Sequence, residues 1–322
     1  MSRQPAVVVN DGKRPNLQNT LKSQVVFEGV GLHGGEPVRM VLRPAMAGYG
    51  IRFRRTDIAL GNTMIPAIWH LVDRTPLCTR LENEAGVSVS TVEHVMAALM
   101  GCGVHNALID IDGPEVPILD GSSAPFVRGI MARGVQVLDA PVQAIKVLKT
   151  VSVEKDGARA TLRPSDRFEI DFSIDFEDAA IGRQSKSLDM RNGAFARELC
   201  DSRTFCRQAD VDAMHESGLA LGGTLDNAVV VDGKDVLSPG GFRHADEAVR
   251  HKMLDALGDL ALAGGPIIGR YEGIRAGHAL TNTLLRALFD TPGAVALVDC
   301  DNEMALRLPG KGLIWSEIPR VA

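Results

Sequence analysis

The sequence predicts a mixed α and β protein folded as two units in one chain. Three observations carry that expectation. The length of 322 residues suits about two domains at roughly 100–200 residues each. Segments with the alternating apolar pattern of half-buried strands are interleaved with segments of helical period. The order strands, helix, strand, helix then occurs twice. No residue-level repeat accompanies that order, so a duplicated architecture is expected from the order alone. It would place the helix carrying His94 and the helix carrying His251 in equivalent positions.

The elements follow in chain order. Residues 1–18 are polar and irregular and are expected to form an N-terminal arm. Leu21–Glu28 and Val38–Arg43 read as strands; in the second, Val38, Met40 and Leu42 alternate with Arg39 and Arg43. Ser90–Met100 reads as a helix closed by Gly101. Ala107–Asp112 is a strand with Ala107, Ile109 and Ile111 on one face. After a turn-rich stretch, Ala124–Arg133 is a short helix with Pro125 near its start. A linker is expected over about 134–144. Phe168, Ile170, Phe172, Ile174 and Phe176 alternate with polar residues and put five apolar side chains on one face of a strand. Ala245–Leu262 reads as a helix ended by Gly264-Gly265, Ile267–Ala276 as a strand and Leu280–Phe289 as a helix. The expected units are therefore 19–138, carrying His94, and 139–293, carrying His251, Asp255 and His278, with a tail at 294–322 that holds no motif.

Composition excludes several classes. The apolar share of 45% and charged share of 23% are those of an ordinary globular protein. Thirty-five basic against 40 acidic residues give a net charge of −5, the wrong sign for a nucleic-acid footprint. Two Trp, two Tyr and 10 Phe leave little for base stacking. No apolar run is long enough for a membrane span or a secretory leader. Five cysteines without a CxxC pair point to free thiols in a reduced, cytoplasmic setting.

The segment with most chemical content is Arg250-His251-Lys252-Met253-Leu254-Asp255-Ala256-Leu257-Gly258-Asp259. At about 100° per residue, Asp255 falls near 40° and Asp259 near 80° from His251, opposite an apolar face of Val249, Met253, Ala256, Leu257 and Leu260. A His and an Asp one turn apart can share a divalent metal. The same spacing also suits a solvated His–Asp pair. Ser90-Thr91-Val92-Glu93-His94 offers His94 as a third ligand and Glu93 as a neighbouring base, while Ser90-x-x-Glu93 also reads as a helix capping box. Catalytic zinc commonly has three protein ligands and an open position. His278, at a strand-to-helix junction, is a candidate proton carrier, and Thr204 a candidate hydroxyl donor.

Taken together, these segments resemble the UDP-3-O-acyl-N-acetylglucosamine deacetylase (LpxC) family. The matching motifs are Gly29-Val-Gly-Leu-His33-Gly, Leu77-Cys78-Thr79, Ser90-Thr-Val-Glu93-His94, Pro117-Ile-Leu-Asp120-Gly-Ser, Ser202-Arg-Thr204-Phe205, Leu221-Gly-Gly223, Val249-Arg-His251-Lys-Met-Leu-Asp255 and Gly277-His278-Ala-Leu. They keep the family order over about residues 20–290. One departure is Cys206, where relatives commonly carry Gly. The resemblance implies an α+β fold of two similar layered β-α-α-β units, each with a small insert, and an active site between the units.

It further implies one Zn2+ per chain held by His94, His251 and Asp255, and hydrolysis of the N-acetyl group of a UDP-linked acylated N-acetylglucosamine, the committed step of lipid A biosynthesis. Glu93 is then the general base, His278 the general acid, Asp259 its orienting partner, and Thr204 and Lys252 stabilise the oxyanion. Leu32, His33, Cys78 and Phe205 are expected to line the substrate region, with Asp210 a sugar or nucleotide contact. The second insert, near 207–221, contributes Val211, Ala213, Met214, Leu219 and Leu221, either to an acyl passage or simply to the core. A monomer is expected, without nucleic-acid partners. Two other readings remain open: a zinc amidohydrolase acting on a different acylated amino sugar, and a non-catalytic nucleotide-sugar binding protein with a structural metal. The cysteines lack structural-zinc spacing, which counts against the second.

Overall fold

A computed structural model describes residues 7–8, 15–73 and 77–320. These residues form seven α-helices: α1 (Glu93–Gly101), α2 (Ala124–Arg133), α3 (Ala194–Glu198), α4 (Gln208–Glu216), α5 (Glu247–Ala261), α6 (His278–Asp290) and α7 (Asn302–Ala305). The fold is α+β, and its strand topology is duplicated. In the first unit the sheet order is Val25–Val30, Pro37–Pro44, Ala107–Ile111, Ile51–Arg55, Met64–Pro66. In the second, Val151–Lys155, Ala158–Arg163, Ile267–Ile274, Phe168–Asp175 and Arg183–Asp189 pair in the same order. The strand between each unit's two long helices is central. It is antiparallel to one neighbour and parallel to the other, in both units. A parallel neighbour requires a crossover connection, and α1 and α5 lie within those crossovers, in equivalent places as the element order predicts.

The repeat extends one strand pair further than expected. Leu17–Leu21 pairs with Val135–Pro141, and Gln143–Val147 with Val295–Asp299. The stretch 134–144 is therefore strand rather than linker. Val135, Gln136 and Val137 are all exposed, so the segment lacks the apolar alternation that marks a strand. Residues 294–322 likewise begin with a strand of the second sheet. Of the expected N-terminal arm, 1–6 and 9–14 lie outside the described residues, Val7–Val8 pairs with Leu297 and Val298, and Leu17 already opens a strand. The single strand expected over Leu21–Glu28 is two, separated by the exposed polar turn Lys22-Ser23-Gln24. Each unit also carries a small insert. The first is the three-stranded sheet Val72–Asp73, Arg80–Glu82, Ser88–Val89; the second is Phe205–Arg207, Val229–Asp232, Asp235–Val236 together with α4.

Alternation along Phe168–Asp175 sets one face of the second sheet: Phe168, Ile170, Phe172 and Ile174 are buried, while Asp175 is exposed. The helices cover these faces and meet across the units, α1 against α5. Gly258 permits that meeting. A Cβ there would lie 2.0 Å from the carbonyl oxygen of Glu93 and 3.0 Å from its Cα. The His251–Asp255–Asp259 stripe is consequently not solvated; all three residues are buried against the neighbouring unit. No disulfide joins the five cysteines, all of which lie among the described residues, and no helix there is long and apolar enough to cross a membrane.

Gly258→Ala should force α1 and α5 apart and cost about 1–3 kcal/mol, as overpacking does. Thermal and urea unfolding check this; an unchanged midpoint would show that the approach is not constrained.

Candidate active site

The first residues of α1 and the middle of α5 share one buried cluster. His94, His251 and Asp255 offer ligand atoms that all lie within 4.8 Å of one another. Asp255 Oδ1 is 3.2 Å from His251 Nε2 and 3.6 Å from His94 Nε2, and the two imidazoles meet edge-on with centroids 5.1 Å apart. All three residues are at most 4% exposed. Asp255 Oδ1 is buried without a hydrogen-bond partner, an expensive condition for a carboxylate unless a cation completes it. His251 Nδ1 lies 3.0 Å from the Ser202 carbonyl. That acceptor fixes the proton on Nδ1 and leaves the Nε2 lone pair facing Asp255. Burial drives the His251 imidazole down to about 4, so it is neutral, as a ligand must be. Two imidazole nitrogens and a carboxylate oxygen are a donor set that suits zinc.

Ser202 owes its position to the segment after it. Arg203 is buried against Glu247, the first residue of α5, with Nε–Oε1 at 3.0 Å. Glu247 also accepts the backbone N–H of Arg203 and of Arg243. A buried, multiply hydrogen-bonded pair thus pins the 202–204 segment to the start of α5.

Around the cluster stand five more ionisable or hydroxyl side chains. The capping box expected at Ser90–Glu93 does not form. Thr91 turns into left-handed geometry at φ 58°, the helix begins at Glu93, and Glu93 Oε2 instead accepts the backbone N–H of Thr79 at 3.0 Å. Glu93 is thereby directed into the cavity, and burial raises its carboxyl above the ordinary value, outweighing the neighbouring histidines. His278 is the first residue of α6. Its Nδ1 is 2.9 Å from Asp259 Oδ2, and its Nε2 is 3.8 Å from both Glu93 Oε1 and Asp255 Oδ2. Burial and the positive helix end both oppose an imidazolium there. Asp259, Glu93 and Asp255 overcome the burial and hold the ring protonated up to about 9. Lys252 Nζ sits 2.7 Å from Asp255 Oδ2. Burial by itself would raise the Asp255 carboxyl, but the adjacent basic groups, His251 and Lys252 foremost, keep it well below its usual value. Thr79, quoted in a motif but given no role from sequence, joins two of these groups: its hydroxyl donates to Asp259 Oδ1 at 2.5 Å.

The cluster forms the floor of a cavity of about 730 Å³ lined by both units. Leu32, His33, Cys78, Thr204, Phe205, Asp210 and Lys252 all reach it, and Asp259 lies behind His278. The insert is not core: no residue of α4 is buried, and Val211, Ala213, Met214 and Leu219 line the cavity while Leu221 is 58% exposed outside it. Cys206 lies on the short strand Phe205–Arg207, half-buried on the cavity wall, its thiol raised to about 11 by burial. Sequence patterning offered no route to the Ser202 carbonyl or the Arg203–Glu247 pair. The first is backbone, and the second joins residues 44 positions apart.

Duplicated units with a buried His-His-Asp cluster at their junction define an α+β protein with a candidate catalytic metal site. The family profile described as UDP-3-O-acyl N-acetylglycosamine deacetylase matches residues 18–290. Among similar proteins, the UDP-3-O-acyl-N-acetylglucosamine deacetylase of Phenylobacterium zucineum is 48% identical over 278 residues, covering 86% of this chain and 95% of that protein. The deacetylases of the same name from Myxococcus xanthus and Pasteurella multocida are 44% and 43% identical, covering 93% and 90% of this chain and 94% and 95% of those proteins. The chain belongs to the UDP-3-O-acyl-N-acetylglucosamine deacetylase (LpxC) family.

His251→Ala should abolish stoichiometric metal binding, whereas Glu93→Ala should retain it. Elemental analysis of the two purified variants checks this; metal retained at the wild-type level in His251→Ala would remove that residue from the ligand set.

Proposed function

We propose that the chain hydrolyses the N-acetyl group of UDP-3-O-acyl-N-acetylglucosamine, giving acetate and the free amine, the committed step of lipid A biosynthesis. The observation that carries this reading is the unpaired Asp255 Oδ1 facing two histidines on the floor of a cavity whose other walls are largely apolar. His94, His251 and Asp255 would hold one Zn2+ per chain, which when bound supplies Lewis acidity toward water and a carbonyl oxygen. The site residues all fall within the two repeated units, 19–138 and 139–293, and the chain acts as a cytoplasmic monomer. An alternative substrate, another acylated amino sugar, is disfavoured by the 42–48% identity to deacetylases named for the UDP-linked compound.

The chain's own groups divide the work. Glu93, held by Thr79 N–H, takes a proton from the attacking water as the new C–O bond forms. Negative charge then develops on the amide oxygen, where the Thr204 hydroxyl and the Lys252 ammonium, both lining the cavity, stabilise it. As the C–N bond breaks, His278 Nε2–H gives its proton to the leaving nitrogen, while Asp259 keeps Nδ1–H in place. Leu32, Cys78 and Phe205 shape the substrate region, Asp210 contacts the sugar or nucleotide, and the lining residues of the α4 insert receive the acyl chain.

The base must be unprotonated and the acid protonated, so the rate should be bell-shaped in pH. The acid limb is the protonation of Glu93, displaced upward from the ordinary carboxylate range; the alkaline limb is the loss of the His278 proton near pH 9. Glu93→Ala should lose about 10²–10⁴ in kcat, and His278→Ala should lose turnover with metal retained. Acetate release from the UDP-linked substrate, and from the same sugar without UDP, measures both. Equal rates on the two would contradict the UDP-specific reading, and near-normal kcat of either variant would remove its residue from the mechanism.

A further inference from the structure

We propose that Glu115 is a positioning residue that presents the His33 imidazole to a hydroxyl or amide group of the acylated sugar; this rests on the deacetylase reading above. Glu115 lies between the helices of the first unit and is 6% exposed. Its carboxylate accepts three donors from two segments. His33 N–H donates to Oε1 and Oε2 at 2.9 and 3.1 Å, Gly34 N–H to Oε2 at 2.9 Å, and the Thr91 hydroxyl to Oε1 at 2.8 Å. One buried carboxylate therefore ties the 31–34 loop to the turn that opens α1, two residues before Glu93.

The surroundings are built for that arrangement. Thr91 is β-branched yet holds φ 58°, a conformation that persists only where neighbours fix it. A Cβ on Gly31 would lie 2.5 Å from Glu115 Oε2, so the loop closes on the carboxylate only because residue 31 has none. From the other side, Leu221 N–H and Gly222 N–H donate to the carbonyls of His33 and Leu32 at 3.2 and 3.0 Å. The loop is thus clamped between Glu115 of the first unit and the insert of the second.

What the clamp holds is a ring with nothing yet to bond. His33 lines the cavity, and both its nitrogens are buried without a hydrogen-bond partner. Burial lowers its pKa against the opposing influence of Glu115. A neutral imidazole offers one N–H and one lone pair, the complement of a hydroxyl or an amide rather than of a phosphate. Buried ring nitrogens left without partners are costly, and the cavity that His33 lines gives substrate access to them.

The test is steady-state kinetics of the full-length, metal-loaded chain on UDP-3-O-acyl-N-acetylglucosamine. Glu115→Gln turns one acceptor oxygen into a donor that faces backbone N–H groups. Glu115→Gln and His33→Ala should each raise KM about tenfold with kcat little changed, the pattern of lost uniform binding. The double variant should be no worse than His33→Ala alone, because Glu115 acts through that ring. An unchanged KM in Glu115→Gln, or effects that multiply in the double variant, would overturn the proposal. Should Glu115→Gln fail to fold, Thr91→Val, which removes one donor, should raise KM, and Thr91→Ser, which keeps it, should not; equal values would also overturn it. Calorimetric binding of the same substrate to the metal-free chain reads the loss without turnover. A wild-type chain that binds but does not hydrolyse therefore refutes the deacetylase reading while this inference is still decided by the variants.

Discussion

The backbone of Gly258 on α5 rests against the backbone of Glu93 on α1, at a distance that no side chain would allow. That contact is where the two repeats meet. His94, the residue after Glu93, is brought by it to Asp255, one turn before Gly258 on the other helix. Among the described residues neither repeat holds a candidate metal cluster of its own. The first supplies one histidine and the candidate base; the second supplies a histidine, an aspartate and the candidate acid. Strand duplication places α1 and α5 equivalently in their sheets, and the missing Cβ lets them close. The cavity above the cluster is bounded by loops and inserts of both units for the same reason.

Closing that interface buries an unusual number of charges, and the pairing among them explains how this is tolerated. Asp255 has Lys252 on one oxygen and only imidazoles near the other. Asp259 is shared between His278 Nδ1 and the Thr79 hydroxyl. Thr79 also holds Glu93 through its backbone N–H, so a single residue of the first insert steadies both the candidate base and the partner of the candidate acid. The environments push the groups to opposite uses. Burial makes Glu93 more basic than an exposed carboxylate, the acidic neighbours make His278 a persistent cation, and burial keeps His251 neutral against the opposing influence of Asp255 and the Ser202 carbonyl. Candidate proton donor, proton acceptor and ligand are thereby distinguished within a few ångströms.

Much of this was legible from the chain. The i,i+4 relation of His251 and Asp255 survives on a real helix, and the alternation from Phe168 to Ile174 gives a real strand face. The element order truly reflects a duplicated topology. Failures occurred where pattern and environment part company. Val135–Pro141 pairs as a strand while exposed, so no alternation betrays it. The Ser90–Glu93 spacing fits a capping box, but Thr91 breaks the helical path and Glu93 turns to Thr79. For the α5 stripe a solvated His–Asp pair stayed open beside the metal reading, because a helical wheel cannot show that a second helix covers it. The apolar insert residues left two possibilities open, and the core reading fails because none of the α4 residues is buried. Carbonyl partners such as that of Ser202 have no sequence signature.

The central claim is that a single ion is shared by His94, His251 and Asp255. X-ray absorption at the zinc edge of the purified chain tests it most directly. An ion held by these three residues gives a light-atom shell with two imidazole nitrogens and oxygen donors at about 2.0–2.2 Å, and no sulfur. Sulfur scattering at about 2.3 Å, or a shell without two imidazoles, would place the metal elsewhere and contradict it.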